Sequence, residues 1–368
     1  MLTILFYILI GILLFHALYH VVLYSNIAFN GALKSRPTQQ DLPVSVVVYV
    51  KDNEAELPQF LEDLLAQDYT AFELVLVNNA SEDESLEILE QFVAQHRFAK
   101  LVNVENNEAF WGNKKYALTL GIKITSFENL LFTEPSVRPN SPHWIASMAS
   151  LFTTKKQVVI AHTSLEKKKK SWSNKYARFQ YFLKSLHNFV WIEMGKPLYG
   201  NSYNQAYKKS LFYKVNGFIK EMKIPQGEEQ EFIRQIATKA NTAITIAPES
   251  MNRLDEKSSW NNAFKIQITY DLLLKRTSIF NQFKVRFYHF SILIFYVLLV
   301  FLLLHLYQWE IVLAIFVIRH LISTFYFAKL LKNFNEKDLV WVFPFFEVIH
   351  ILFGHYFAFK HFITRKKI

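Results

Sequence analysis

Acidic side chains occupy two places in the middle of this sequence where they could do chemistry. Glu134 follows the short apolar run 129–132, and a carboxylate at the end of a strand is a common ligand for a divalent cation. Glu228 and Glu229 lie in the Gly-Glu-Glu-Gln-Glu segment at 227–231, which opens a stretch with helical spacing. Carboxylates at such a position either take up a proton during catalysis or complement the dipole of a solvated helix turn.

Polar side chains also follow two continuous runs of β-branched and apolar residues. Asp52 comes just after the run 44–50, and Asn78 comes just after the run 72–77. Runs of this kind are typical of strands that are buried on both faces. Because ligands of parallel sheets bind at the carboxyl ends of the strands, Asp52 and Asn78 are candidate binding residues.

The segments between these runs have helical periodicity. Apolar residues recur at helical spacing over 57–65 and 85–98, and a third strand pattern covers 100–104. Strands that alternate with helices at this spacing predict an α/β domain with a mostly parallel sheet.

Both ends of the chain are strongly apolar. Residues 1–29 carry no charged side chain, and about 20 apolar residues are enough to span a bilayer. A retained anchor is favoured over a cleaved signal peptide, because a basic first segment and a cleavage site are not evident. Residues 287–309 and 310–331 predict a hairpin of two spans, in which Arg319 and His320 must face protein or water. Residues 340–363 are less apolar and could cross the membrane, re-enter it or lie in the interface.

Basic residues border the middle of the chain at both membrane junctions. Lys34 and Arg36 lie at one junction, and a cluster at 275–286 lies at the other. The positive-inside rule therefore places the middle of the chain in the cytoplasm. The expected organisation is an N-terminal anchor at 1–29, a cytoplasmic domain at 30–286 and C-terminal membrane helices at 287–368.

The overall composition agrees with this organisation. Hydrophobic residues make up 51% of the chain, and the formal net charge is +10. Basic residues beside membrane segments contact anionic lipid and account for much of this charge. A basic and aromatic RNA-binding motif is not apparent, so nucleic acid is not an expected partner. The absence of Cys excludes disulfides and thiolate metal sites.

Several segments resemble family-2 glycosyltransferases of the GT-A fold, especially membrane-anchored bacterial members. The similarity extends over residues 43–270 and is strongest in NEAFWGNKKYALTLGI at 107–122. Residues 200–218 resemble the acceptor-side segment of that family. The resemblance implies a GT-A-like, mostly parallel sheet flanked by helices, with one N-terminal and two to three C-terminal transmembrane or interfacial helices.

The resemblance also implies roles for individual residues. Such enzymes transfer a sugar from a nucleoside-diphosphate sugar to a glycan or lipid acceptor. By position, Glu134 would bind Mg²⁺ or Mn²⁺, and Glu229, with Glu228 beside it, would be the catalytic base. The donor would be bound by residues elsewhere in the domain, namely Asp52, Asn78, Lys114, Lys115 and Trp260.

The sequence departs from the family pattern at the residues that carry the chemistry. The family has an Asp at the position of Asn78 and an Asp-any-Asp metal motif where Glu134-Pro135-Ser136 stands. An active transferase that acts at the cell membrane and a degenerate homologue that supports another membrane enzyme therefore both remain open. A transporter is a third alternative, which rests on polar residues in the C-terminal helices.

Overall fold

A computed structural model describes residues 1–30, 42–105, 114–195, 197–221, 228–256 and 259–364, apart from the side chains of 221, 228–230, 355 and 357–364. The chain forms two compact units. We call the first the apolar-helix unit, which comprises Met1–Gly31, Lys168–Lys184 and Ser258–Ile368. The second is the sheet unit, which comprises Ala32–Lys167 and Ser185–Lys257.

The strands in the described residues belong to a seven-stranded and a three-stranded sheet. In chain order they are β1 Val44–Val50, β2 Phe72–Asn79, β3 Ala99–Val104, β4 Asn129–Thr133, β5 Val137–Pro139, β6 Val158–Ala161, β7 Thr163–Leu165, β8 Gln205–Lys208, β9 Thr242–Thr245 and β10 Asn252–Leu254. The larger sheet has the order β3-β2-β1-β4-β8-β6-β9, and the smaller has the order β5-β10-β7. Only β8 runs antiparallel to its neighbours in the larger sheet, which confirms the predicted mostly parallel α/β fold.

The α-helices of the described residues have the following bounds. They are α1 Leu2–Tyr19, α2 Leu57–Leu65, α3 Ser85–Gln95, α4 Lys114–Ile124, α5 Trp144–Ala149, α6 Trp172–Met194, α7 Lys209–Lys214, α8 Glu228–Ile236, α9 Trp260–Lys275, α10 Ile279–Leu304, α11 Trp309–Asn333 and α12 Phe343–Thr364. Short π-helical turns continue α1 to Asn30.

The core of the sheet unit explains why its strands read as continuous apolar runs. Val46, Val48 and Val50 of β1 are fully buried and pack in one cluster with apolar residues of α2, α3 and α5. Val47 of β1 is equally buried, and it lies near Gly121 of α4. Both faces of β1 are therefore covered, so polar residues are excluded from most of its length.

Helix α4 approaches the sheet closely at Gly121. A Cβ added to this glycine would lie 2.5 Å from Cγ2 of Val77 in β2, which is closer than van der Waals contact allows. Glycine at this position therefore sets the distance between α4 and the sheet. The same helix carries Lys114 at its start.

A buried carboxylate joins three strands at the amino ends of the parallel array. Glu73 of β2 accepts hydrogen bonds from Ser45 Oγ at 2.6 Å and from Ser126 N at 2.5 Å, and it pairs with Lys100 Nζ at 2.8 Å. Burial acts to raise the pKa of Glu73, but these donors outweigh it and lower the pKa below the usual value. The folded sheet therefore stabilises the ionised form of Glu73.

Three helices in the described part of the chain are long and apolar enough to cross a membrane. They cover Leu2–Tyr24, Ile279–Leu304 and Trp309–Asn333. The second begins eight residues before the span predicted at 287, because Ser278 caps it and its Oγ accepts from Asn281 N at 3.3 Å. The capped helix includes Lys284 and Arg286, whereas the predicted span began after them.

Several buried polar side chains of the apolar-helix unit are paired with one another. Arg319 of α11 is 1% exposed and donates to both carboxylate oxygens of Glu347 in α12, at 2.6 and 2.8 Å. Arg319 Nη1 also donates to the Tyr296 hydroxyl at 3.3 Å, and that hydroxyl lies 3.1 Å from His320 Nε2. Arg319 and His320 thus face protein, as predicted.

A second buried ion pair joins α6 to the turn that follows α11. Arg178 Nε donates to Glu336 at 2.9 Å, and its Nη1 donates to Asp338 at 2.9 Å. Arg178 and Glu336 are each 2% exposed. The loss of one partner from such a pair leaves a buried charge without compensation.

Replacing Gly121 with Ala should destabilise the protein by about 1–3 kcal/mol, because the added methyl overlaps Val77. Gly11→Ala is the matched control, since a Cβ at Gly11 would meet no heavy atom within 4 Å. Thermal unfolding of the detergent-solubilised protein measures both. Equal melting temperatures for the two variants would show that the packing of α4 on the sheet does not require a glycine at 121.

Arg178→Met should cost about 3–5 kcal/mol, because Glu336 would lose a buried cationic partner. The control is Arg253→Met, which breaks the Arg253–Glu166 pair between side chains that are 42% and 38% exposed. That change should cost at most about 1 kcal/mol. Unfolding midpoints in denaturant test the difference, and similar values for both variants would contradict it.

Candidate functional site

The parallel register brings several strand ends to one edge of the large sheet. Val50 of β1 lies opposite Asn78 of β2, and Val48 lies opposite Thr133 of β4. The residues that follow these strands, Asp52 and Glu134, therefore leave the sheet at the same edge as Asn78. Parallel strands direct all their carboxyl ends the same way, so this edge collects side chains from distant parts of the sequence.

Asn78 holds two of these strand ends together. Its Nδ2 donates to Oδ1 of Asn103 in β3 at 2.8 Å, and its Oδ1 accepts from Ser81 Oγ at 2.6 Å. Asn78 is 1% exposed, so its amide is occupied within the protein. The bond in this direction depends on the amide of Asn78, because a carboxylate has no N–H to donate.

Asp52 joins the loop after β1 to the loop after β2. Its amide donates to Ser81 Oγ at 3.1 Å, and its Oδ1 accepts from Glu82 N at 2.8 Å. Asp52 is itself exposed and has a φ of 51°, a left-handed conformation that Asp tolerates better than most residues. The two loops are thus held in one arrangement, with the side chain of Asp52 at the surface.

An ion pair between Lys114 and Glu134 lies at the same edge. The Lys114 ammonium, at the start of α4, contacts Oε1 of Glu134 just after β4. It also lies 4.5 Å from the ring centroid of Tyr49, whose hydroxyl accepts from Asn79 Nδ2 at 2.9 Å. The side chains of Lys114 and Glu134 are 22% and 18% exposed, so a ligand can reach both charges.

Lys115 differs from its neighbour. It is 4% exposed, whereas the Lys114 side chain reaches the open edge of the sheet. A buried lysine is poorly placed to meet a solvated phosphate. Of the two lysines that the sequence offers, Lys114 is the one whose side chain a charged ligand could reach.

The fit of a divalent cation depends on Glu134. Within the described residues, His, Asp and Glu side chains do not assemble into groups of three that could hold a metal ion. Magnesium, however, is often bound through a single carboxylate together with substrate phosphates and water. Glu134 can supply that carboxylate, in competition with the ammonium of Lys114.

Two of the predicted site residues have side chains outside the described part of the chain, and a third belongs to the other unit. Glu228 and Glu229 begin α8, but their side chains lie outside the described part of the chain. Trp260 belongs to the apolar-helix unit, where it begins α9 and is 42% exposed. Its ring lies 5.6 Å from that of Tyr176 and 6.1 Å from that of Phe264.

The predicted acceptor-side segment is tied into the core by asparagines. Asn204 donates to the carbonyls of His162 at 3.0 Å and Ser250 at 2.8 Å, and it accepts from Trp144 Nε1 at 3.1 Å. Asn201 donates to the Ala161 carbonyl at 2.7 Å. These bonds fix the segment between the two sheets of the sheet unit.

Sequence reasoning missed Tyr49 and Asn103. Tyr49 is the only aromatic residue in the run that forms β1, and this interruption of the valines was the available signal. Asn103 lies directly opposite Asn78 in the register of β2 and β3. That register was not readable from sequence, so the pairing could not be predicted.

Comparisons with known proteins agree with this architecture. Residues 45–215 match the family described as "Glycosyl transferase family 2". The chain is 30% identical over 112 residues to the 4,4'-diaponeurosporenoate glycosyltransferase of Staphylococcus haemolyticus (strain JCSC1435). That match covers 30% of this chain and only 28% of the relative's length.

A solved structure shares the fold over most of the chain. The mannosyltransferase PcManGT from Pyrobaculum calidifontis, in complex with GDP-Man and Mn²⁺, superposes with a TM-score of 0.57 at 14% identity. The superposition covers 90% of this chain and 98% of that protein. The matched family segment contains β1 to β4, α4 and the Lys114–Glu134 pair. The matched segment thus resembles a family-2 glycosyltransferase domain, and the chain shares the fold of that mannosyltransferase.

Proposed function

We propose that this protein is a membrane-bound glycosyltransferase. It transfers a sugar from a nucleoside-diphosphate sugar to a glycan or lipid acceptor at the cytoplasmic face of the cell membrane. The observation that carries the proposal is the accessible Lys114–Glu134 pair at the carboxyl edge of a family-2 domain. The catalytic reading is favoured over a degenerate scaffold, because this edge keeps a cation for phosphate and a carboxylate for a metal.

The donor is assigned to the carboxyl edge of the sheet. Lys114 would neutralise the diphosphate, and Asp52 would contact the nucleoside from its exposed loop. Asn78 would act indirectly, because its amide is already used to join β2 to Asn103. Lys115 would support the start of α4 rather than touch the donor, since it is buried.

The transfer step requires a base and a leaving group that can carry charge. The acceptor oxygen attacks the anomeric carbon, the bond from that carbon to the diphosphate oxygen breaks, and the diphosphate leaves with the electron pair. Glu229 would take the acceptor proton, with Glu228 beside it in the first turn of α8. A bound Mg²⁺ or Mn²⁺ supplies further neutralisation of the diphosphate, and Glu134 would hold it together with donor oxygens.

The membrane arrangement follows the sequence organisation. Residues 1–29 would anchor the chain, 30–286 would form the cytoplasmic domain, and 287–368 would return the chain to the bilayer. Three long apolar helices in the described residues support this arrangement. Trp260, exposed at the start of α9, is kept as a candidate contact for substrate on the strength of the family resemblance.

Lys114→Gln should weaken donor binding at least about tenfold, because a charge-assisted bond to phosphate is worth about 1.5–3 kcal/mol. Lys123→Gln is the control, since Lys123 is exposed at the other end of the same helix. Nucleoside diphosphate release from a panel of nucleotide sugars, with Mg²⁺ or Mn²⁺, measures the effect.

Glu134→Gln should raise the metal concentration needed for half-maximal rate, and an unchanged metal dependence would remove Glu134 from the metal site.

Glu229→Gln should lower the transfer rate about 10²- to 10⁴-fold while donor binding persists, because a general base contributes rate and not ground-state affinity. Glu231→Gln is the control, since Glu231 is paired with Arg234 at 2.6 Å. Turnover and donor affinity are measured on the same preparations. Full activity in Glu229→Gln, with loss in Glu228→Gln, would move the base to Glu228.

A further inference from the structure

A cavity of about 310 Å³ lies within the apolar-helix unit, between α9, α10 and α12. Its volume falls at the lower end of the range of about 300–1,000 Å³ that small-molecule sites occupy. All of its walls belong to this unit, so the cavity is separate from the candidate donor site. Its lining includes both apolar and charged side chains, which alternate along α10.

The apolar part is formed mainly by phenylalanines of α10. Phe283, Phe287 and Phe290 line the cavity and are 59%, 45% and 50% exposed. They lie in the first turns of a helix long and apolar enough to span a membrane. In the predicted organisation the membrane span begins at residue 287, so Phe287 and Phe290 would lie at the start of the span and Arg286 at its boundary.

The charged part consists of Asp271 and Lys275 of α9 and of Arg286, which lies between Phe283 and Phe287 along α10. Burial raises the pKa of Asp271 to about 6, and the two cations act in the opposite direction. With Asp271 ionised, the lining holds two positive charges and one negative charge, so the cavity attracts an anion.

Helix α12 packs against α9 at one wall of the cavity. Gln267 Nε2 donates to the His350 carbonyl at 3.0 Å, and a Cβ added to Gly354 would lie 3.1 Å from the same nitrogen. Glycine thus permits this approach of the two helices. A large side chain at 354 would displace the Gln267 amide or occupy the cavity.

We propose that this cavity binds one anionic phospholipid of the surrounding bilayer. The acyl chain lies against Phe283, Phe287 and Phe290, and the phosphate lies beside Lys275 and Arg286. The assignment follows from the surplus of positive charge in the lining and from the exposed aromatic surface beside it. It is independent of the proposed transfer reaction, because it concerns a resident lipid and not the acceptor.

Native mass spectrometry of the full-length protein tests the proposal, with phosphatidylglycerol and phosphatidylcholine of identical acyl chains as probes. The wild-type protein should retain one phosphatidylglycerol about tenfold more strongly than phosphatidylcholine. The double variant Lys275→Gln and Arg286→Gln should lose this preference. The matched control is Lys329→Gln with Lys332→Gln, which removes the same charge from exposed residues near the end of α11 and should keep the preference.

Two further variants keep the test decisive if the double variant does not fold. Asp271→Asn should strengthen phosphatidylglycerol retention, because it removes the carboxylate beside the phosphate position. Gly354→Leu should weaken retention of both lipids by filling the cavity. Unchanged retention in these two variants would contradict the proposal.

Three results would overturn the assignment. Equal retention of both lipids by the wild-type protein would exclude an anion-selective site. An equal loss in the α11 control would attribute the preference to diffuse membrane charge. Glycosylated phosphatidylglycerol after addition of a nucleotide sugar would identify an acceptor and not a resident lipid, whereas failure of transfer with every donor would leave the retention result unaffected.

Discussion

The ion pair between Lys114 and Glu134 is the interaction on which the candidate site depends. It joins the start of α4 to the end of β4, and Tyr49 and Asn79 connect it to β1 and β2. Both side chains are partly buried, at 22% and 18% exposed, so the pair partly replaces the water that each charge has lost. In the proposed function a diphosphate would pair with Lys114 while a metal ion paired with Glu134, so neither charge would be left without a partner.

This pair forms because the strand register and the packing of α4 fix the positions of both side chains. The parallel register places Glu134 beside the end of β1, and the close approach at Gly121 sets the distance of α4 from the sheet. At the opposite ends of the strands, Glu73 joins β2 to Ser45 and Lys100. Apolar packing thus holds the middle of the strands, while hydrogen-bonded charges define both edges.

The apolar-helix unit follows the same physical rule in a more demanding environment. Arg319 is paired with Glu347, and Arg178 is paired with Glu336 and Asp338. A charge surrounded by apolar helices is costly unless a partner of opposite sign is within hydrogen-bonding distance. These pairs therefore restrict how the helices pack. The Arg319–Glu347 pair also uses two of the polar residues on which the transporter alternative rested.

The sequence by itself determined the elements whose signal is local. The valine run of β1, the alternation of strands with helices and the long apolar segments each reflect burial, which depends on the type and spacing of neighbouring residues. The positions of Asp52, Asn78 and Glu134 at strand ends were readable for the same reason. The tertiary structure alone decided which of these residues meet. The Asn78–Asn103 bond, the choice of Lys114 over Lys115 and the contact of Lys114 with Tyr49 depend on strand register and helix distance, and these are set by packing between segments far apart in the chain.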